Sequence, residues 1–175
     1  KGMRGGKPNK LMLEVRRLGL DGVRSHNKFI PKVYLIGSIE QRLELLAGLL
    51  DTDGFKPKHN KTTFQYITKS PQLASDIYYL CKSLGFGVNY RECIKSWTYK
   101  DIKKSGIYHT LSISIQDLIV PTKVSYKKHY FRNDSGKDLV RQKRMIISKE
   151  DIQEEVYGFT LDSASGWYIT NDWII

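Results

Sequence analysis

A chain of 175 residues can bury a real core without staples, and its two cysteines, Cys81 and Cys93, have no CxxC or paired ligand spacing, so they read as half-buried thiols of a reducing compartment and zinc is not indicated. The longest apolar stretch, around Leu45 to Leu50, is too short to cross a bilayer, and the Gly-rich basic N-terminus lacks the apolar segment of a signal peptide. No membrane partner is expected, and the sequence reads as that of a soluble, intracellular protein. The net charge of +11 is unevenly spread: residues 1–149 hold all 29 Lys and Arg against 12 acids, a surplus of 17, while the last 26 residues hold six acids and no Lys or Arg. The break at Lys149/Glu150 marks a candidate domain boundary, with a polyanion partner expected on its N-terminal side.

Residues 1 to 8 read as a linker. Leu11, Leu13, Val15 and Leu18 predict a short helix stopped near Gly19 and Gly22, and Phe29-Ile30-Pro31 predicts an extended lead-in, because the residue before proline is pushed out of the helical region. A stronger helix is predicted from Ser38, where Ser38 and Gln41 have capping-box spacing, through Leu43, Leu45, Leu46, Ala47, Leu49 and Leu50 to Gly54. It is apolar almost all round, which predicts burial on every side, and Ala47-Gly48 would admit a second helix closely. A strand is expected from Phe64 to Thr68, then a helix from Pro71 to Leu84 ended by Gly85, then a strand over 86 to 96. The clearest strand is 109 to 116, where Leu111, Ile113 and Ile115 alternate with Thr110, Ser112, Ser114 and Gln116. The polar row is either a plain solvent face or a surface whose short side chains reach base edges.

Leu46-Ala47-Gly48-Leu49-Leu50-Asp51-Thr52-Asp53-Gly54 places two carboxylates at the C-terminal end of the apolar helix, the end that already carries partial negative charge. A divalent cation would offset that cost, and magnesium accepts one or two carboxylates together with waters and phosphate oxygens. The bland reading is that both acids solubilise a loop. The nonapeptide closely resembles the LAGLIDADG motif of homing endonucleases, with conservative changes at Leu50 and Thr52. Ile30-Pro31 upstream and Leu80-Cys81-Lys82-Ser83-Leu84-Gly85 downstream fall where that family's repeat has them.

The resemblance implies an α+β repeat with an antiparallel DNA-binding sheet, two such helices packing at a pseudo-twofold axis, and metal-dependent hydrolysis of double-stranded DNA with Mg2+ or Mn2+. It implies Asp53 as the metal ligand at the scissile phosphate, Asp51 as a helix-end supporting residue, and Ala47 and Gly48 as the helix interface. A basic residue near the metals corresponds to the second lysine of Lys127-Lys128, so Lys128 is a candidate for activating water or stabilising phosphate charge; a plain phosphate contact is the alternative. Lys56, Lys58, His59, Lys61, Gln65, Arg91 and Lys95 lie on or beside the strands that would saddle DNA, and Ser112, Ser114 and Lys127 complete the expected contacts. His59 has no partner histidine at useful spacing and reads as a DNA or solvent contact.

Residues 156 to 162 and 167 to 175 are two β-rich runs that read as a hairpin and resemble the C-terminal block of inteins. Gly158 stands where many inteins carry an acid, and no His-Asn follows within the 175 residues, so splicing is not expected to complete in this chain. The expected organisation is therefore a linker and tail of a preceding repeat over 1–35, an endonuclease repeat over 36–149, and the C-terminal segment of an intein splicing domain of the Hedgehog/intein class over 150–175. The expected partners are duplex DNA and the N-terminal half of the same intein, covalent or separate. Two other readings stay open: a non-cleaving, maturase-like binder of nucleic acid, and a decayed endonuclease insert.

Overall fold

The computed structural model describes residues 9–58, 63–115, 119–128 and 155. The chain divides into two compact units, 1–133 and 134–175. Glu155 apart, the described residues belong to the first unit; the expected hairpin of 156 to 175 lies outside the described residues.

Helix α1 (Lys10–Arg17) starts where the Asn9 side chain accepts the Leu11 N–H at 2.9 Å and stops before Gly19, at φ +70°. The extended lead-in at 29 to 31 is present, and a one-turn helix, α2 (Lys32–Leu35), follows it that the sequence does not announce. In α3 (Ile39–Asp53), Ser38 Oγ accepts the Gln41 N–H at 3.3 Å and Gln41 Oε1 accepts the Ser38 N–H at 3.1 Å, completing the predicted capping box. Gly54 ends the helix at a close approach: a Cβ there would lie 2.6 Å from the Leu50 carbonyl oxygen. Helix α4 (Pro71–Ser83) is capped by Ser70 Oγ, which accepts the Leu73 N–H at 3.1 Å, has Pro71 in its first turn, and is followed by Gly85 at φ +80°.

Four antiparallel strands, β1 (Gly54–Phe55), β2 (Thr63–Thr68), β3 (Gly87–Tyr99) and β4 (Ile102–Ser114), form one sheet in the order β1-β2-β4-β3. Phe64 pairs with Ile113 and Ile113 with Val88, so these three share the face on which α3 and α4 pack. With Leu46, Leu50, Leu73, Ile77, Leu80 and Leu111 they form a single core. Gln65, Ser112 and Asn89 pair across the same strands one residue out of phase, which puts them together on the opposite face. From α3 onward the order is helix, two strands, helix, two strands, which contains each helix and strand predicted from Ser38 to the strand that starts at His109.

Two expectations are corrected. Helix α3 is not buried on every side: Leu46, Ala47 and Leu50 are buried, while Glu40, Glu44, Gly48 and Thr52 are exposed along the helix. Its apolar excess is larger than one sheet and one helix can cover. The two strands expected at 86 to 96 and 109 to 116 run on into a hairpin of two 13-residue strands joined at Lys100 and Asp101, both at positive φ (48° and 60°), the backbone a tight two-residue turn requires.

Candidate functional site

The last turn of α3 contains no basic residue of its own, so its terminal carbonyls and two aspartates concentrate negative charge that must be offset from outside the helix. Thr52, exposed, folds back on its own helix, its hydroxyl donating to the Gly48 and Leu49 carbonyls at 3.0 and 3.2 Å. The acids then diverge. Asp51 accepts the backbone N–H groups of Lys123 and Val124 at 2.7 and 3.2 Å, so its charge is spent on holding the 120–128 segment against the helix. Asp53 is exposed, and among the described residues no ion pair reaches it. Its described polar neighbour is the Tyr66 hydroxyl at 3.5 Å. Burial first, and then the charge and hydrogen bond of Asp53, push the Tyr66 phenol up to about 12, so Tyr66 stays a proton donor toward the carboxylate.

Lys127 is placed against expectation. It is 4% exposed, and its ammonium donates to the Leu50 and Asp51 carbonyls, both at 2.8 Å. It caps the end of α3 from inside, at a position where the sequence leads one to expect a DNA contact. Lys56 is also tied inward: it lies over the Phe64 ring at 5.6 Å, and its ammonium donates to the carbonyls of Lys127, at 3.4 Å, and Lys128. Together with Thr122, whose hydroxyl donates to the Lys127 carbonyl at 3.3 Å, it fixes the backbone from which Lys128 projects. Lys128 itself is exposed.

Gln65 and Ser112 sit directly opposite each other on the open face of the sheet, beside Asn89, and Arg91 continues that face opposite Thr110. Ser114 does not belong to the open row as expected: it is 7% exposed, enclosed where β4 pairs with both Thr63 and Gly87. Gln116, His59 and Lys61 lie outside the described residues, and Lys58 is exposed just beyond β1. Lys95 lies 5.8 Å over the Tyr108 ring, and Tyr108 meets Trp97 edge to face at 6.3 Å, so the long hairpin carries lysines interleaved with aromatic rings on the same face. Trp97, Tyr99 and Tyr108 do not stand out in the sequence, where Lys100, Lys103, Lys104 and Gly106 break the alternation. Of the two small residues expected at a helix interface, Ala47 is buried in this chain's own core, whereas a Cβ on Gly48 would meet nothing within 4 Å.

A cleft of about 320 Å³ opens beside the exposed carboxylate, lined among others by Asp53, Tyr66, Lys28 and Lys69. Sequence reading passes over the last three, because Tyr66 looks like any core-facing strand aromatic and the lysines lie outside the motif. Among the described residues no group of three His, Cys, Asp or Glu could hold a metal by itself. One exposed carboxylate suits half of a magnesium site whose other ligands are phosphate oxygens, waters and an acid from elsewhere.

The family described as a LAGLIDADG-like domain matches residues 40–155. The chain is 43% identical over 76 residues to a replicative DNA helicase DnaB of Mycobacterium intracellulare, a match covering 43% of this chain and 12% of that protein. It is 28% identical over 160 residues to an ATP-dependent DNA helicase Hel308 of Thermococcus kodakarensis, covering 85% of this chain and 14% of that protein. The matches thus span a small fraction of either relative's length.

Proposed function

We propose, from the premise that this chain belongs to the LAGLIDADG-like domain family, that it is one catalytic repeat of a site-specific homing endonuclease embedded in an intein. Membership implies a homing endonuclease or a related DNA-binding function, and the mixed fold with its four-stranded antiparallel sheet fits the family. The observation that carries the cleavage reading is the division of labour at the end of α3: Asp51 is consumed in holding structure, while Asp53 is left exposed. Residues 36–149 are the proposed repeat, with 1–35 leading in from a preceding repeat and 150–175 ending the splicing domain.

The relatives support an inserted element. Two different helicases each match over a small share of their length, and the 175 residues contain no GxxxxGK[ST] sequence, so the shared segment is not a nucleotide-driven motor of that type. The open sheet face, with Gln65, Ser112, Arg91 and Lys95 together, suits the major groove of duplex DNA.

Asp53 would hold a divalent cation, Mg2+ or Mn2+, which when bound supplies charge stabilisation at the scissile phosphate. Lys128 would act on the attacking water or on developing phosphate charge from a backbone fixed by Lys56 and Lys127. A second acid would come from a partner helix packed over Gly48, supplied by the N-terminal half of the same intein.

The test is reconstitution. The lone chain should bind duplex and cut it poorly, the matching N-terminal half should restore double-strand cleavage, and Asp53→Asn should abolish that cleavage while binding persists. Full activity of the Asp53→Asn enzyme would overturn the site. Efficient cutting by the lone chain would point to a homodimer instead, and binding without cleavage in the reconstituted protein would favour a maturase-like binder or a decayed insert.

A further inference from the structure

The cleft beside Asp53 has a feature the motif does not encode. Its lysines, Lys28 and Lys69, come from segments 41 residues apart and are presented by one buried knot around Ser70. The Ser70 hydroxyl, fully buried, donates to the Lys28 carbonyl at 2.6 Å and accepts the Leu73 N–H, while the Ser70 N–H donates to Thr68 Oγ1 at 3.1 Å. Two residues on, the Ile30 N–H donates at 2.8 Å to the carboxylate of Asp76, itself 7% exposed and held by Gln72. The loop bearing Lys28 is therefore pinned to the start of α4, next to the residue bearing Lys69. Among the described residues no carboxylate lies within ion-pair distance of either ammonium, and Lys69 rests 5.7 Å above the Trp97 ring.

We propose that Lys28 and Lys69 form an anion seat on the wall of this cleft, taking one phosphodiester of the DNA strand on which Asp53 acts. This rests on the endonuclease reading. The physical need is plain: an exposed carboxylate repels an approaching phosphate, and the repulsion must be offset if the phosphate is to lie within reach of Asp53. Two lysines on a fixed backbone, both lining the same cleft, would offset it without ordering a loop at the moment of binding. Lys128 is not among the residues lining the cleft, so the two lysines would hold the phosphate and leave Lys128 for the water or the leaving oxygen.

The experiment titrates the full chain with a random-sequence DNA duplex in metal-free buffer over a range of salt. Lys28→Ala and Lys69→Ala should each lower the log–log salt slope by about one unit. In the same buffer Asp53→Asn, which removes the repulsion, should strengthen duplex binding by at least about twofold, the lower end of coupling between neighbouring charges. That gain should vanish when Lys28 and Lys69 are both alanine. Both lysines are side chains at the surface of a cleft, and thermal melts should report unchanged folding. If the unaltered chain binds with steep salt dependence but the lysine variants keep its slope, or the Asp53→Asn gain survives in the double variant, the seat is wrong and the endonuclease reading stands. A salt-insensitive unaltered chain overturns both.

Discussion

Tyr66 keeps its proton through the neutral range because its ring is 2% exposed and its hydroxyl faces the Asp53 carboxylate, which together raise the phenol to about 12. The folded value lies above the ordinary value of 10, so the protonated phenol contributes stability that is full below pH 10 and is lost as pH rises toward 12. A shift of that size corresponds to about 2 to 3 kcal/mol at the alkaline extreme. Tyr66→Phe removes the hydroxyl while keeping the ring in the core, so urea unfolding between pH 8 and 11.5 should show the parent losing more stability than the variant. Parallel pH dependences would mean that burial and Asp53 together do not raise the phenol in the folded protein. At this scale the sequence singles out from the nonapeptide Asp53, which the fold leaves exposed at the end of α3. It conceals Tyr66, Lys28 and Lys69, whose meeting in one cleft depends on register and on a loop tied down by Ser70 and Asp76.

Helix α3 and the 120–128 segment hold each other in both directions, with the Asp51 carboxylate on backbone N–H groups and the Lys127 ammonium on backbone carbonyls. Hydrogen bonds to a charged group contribute roughly 1.5 to 3 kcal/mol, and removing the ammonium leaves two carbonyls to find new partners. Lys127→Met should therefore cost about 3 kcal/mol of unfolding free energy while leaving the salt slope of DNA binding unchanged; Lys95→Ala, on the open face, should do the reverse and lower the slope by about one unit. A Lys127→Met protein of normal stability and weakened DNA binding would return Lys127 to the DNA surface. Caps make α3 and α4 legible, since Ser38, Gln41, Ser70, Pro71 and Gly85 act within a few residues of where they stand. The middle of the hairpin is not legible, because from Ile94 to Ser105 both faces are exposed and no alternation of burial disciplines the sequence. The inward turn of Lys127 is equally hidden: one basic residue of a Lys-Lys pair looks like the other until the helix end it caps is placed 76 residues away.

For the whole molecule, the surplus of 17 positive charges before Glu150 and the excess of six acids after it place the proposed DNA affinity in the first part of the chain. Deleting 150–175 should leave duplex binding and its salt slope largely intact, which a titration of the two proteins side by side would check; affinity lost with the tail would refute the partition. Among the described residues no helix is long and apolar enough to cross a membrane. The contacts of the first unit also differ in how far along the chain they reach. The β3–β4 ladder zips outward from Tyr99 and Ile102, adjacent across a two-residue turn, so each new pair closes a loop only slightly longer than the last. Asp51 and Lys123 instead join points 72 residues apart. Closing so long a loop gains its contacts only after the intervening sheet and α4 have formed, which makes this clasp the last to fasten on folding and the first to release. In pulse-labelled hydrogen exchange the hairpin amides should be protected early and those of Lys123 and Val124 late. Mild denaturant would then free the segment bearing Lys128 from α3 while the sheet persists, separating the proposed DNA-binding face from the proposed catalytic end of the helix.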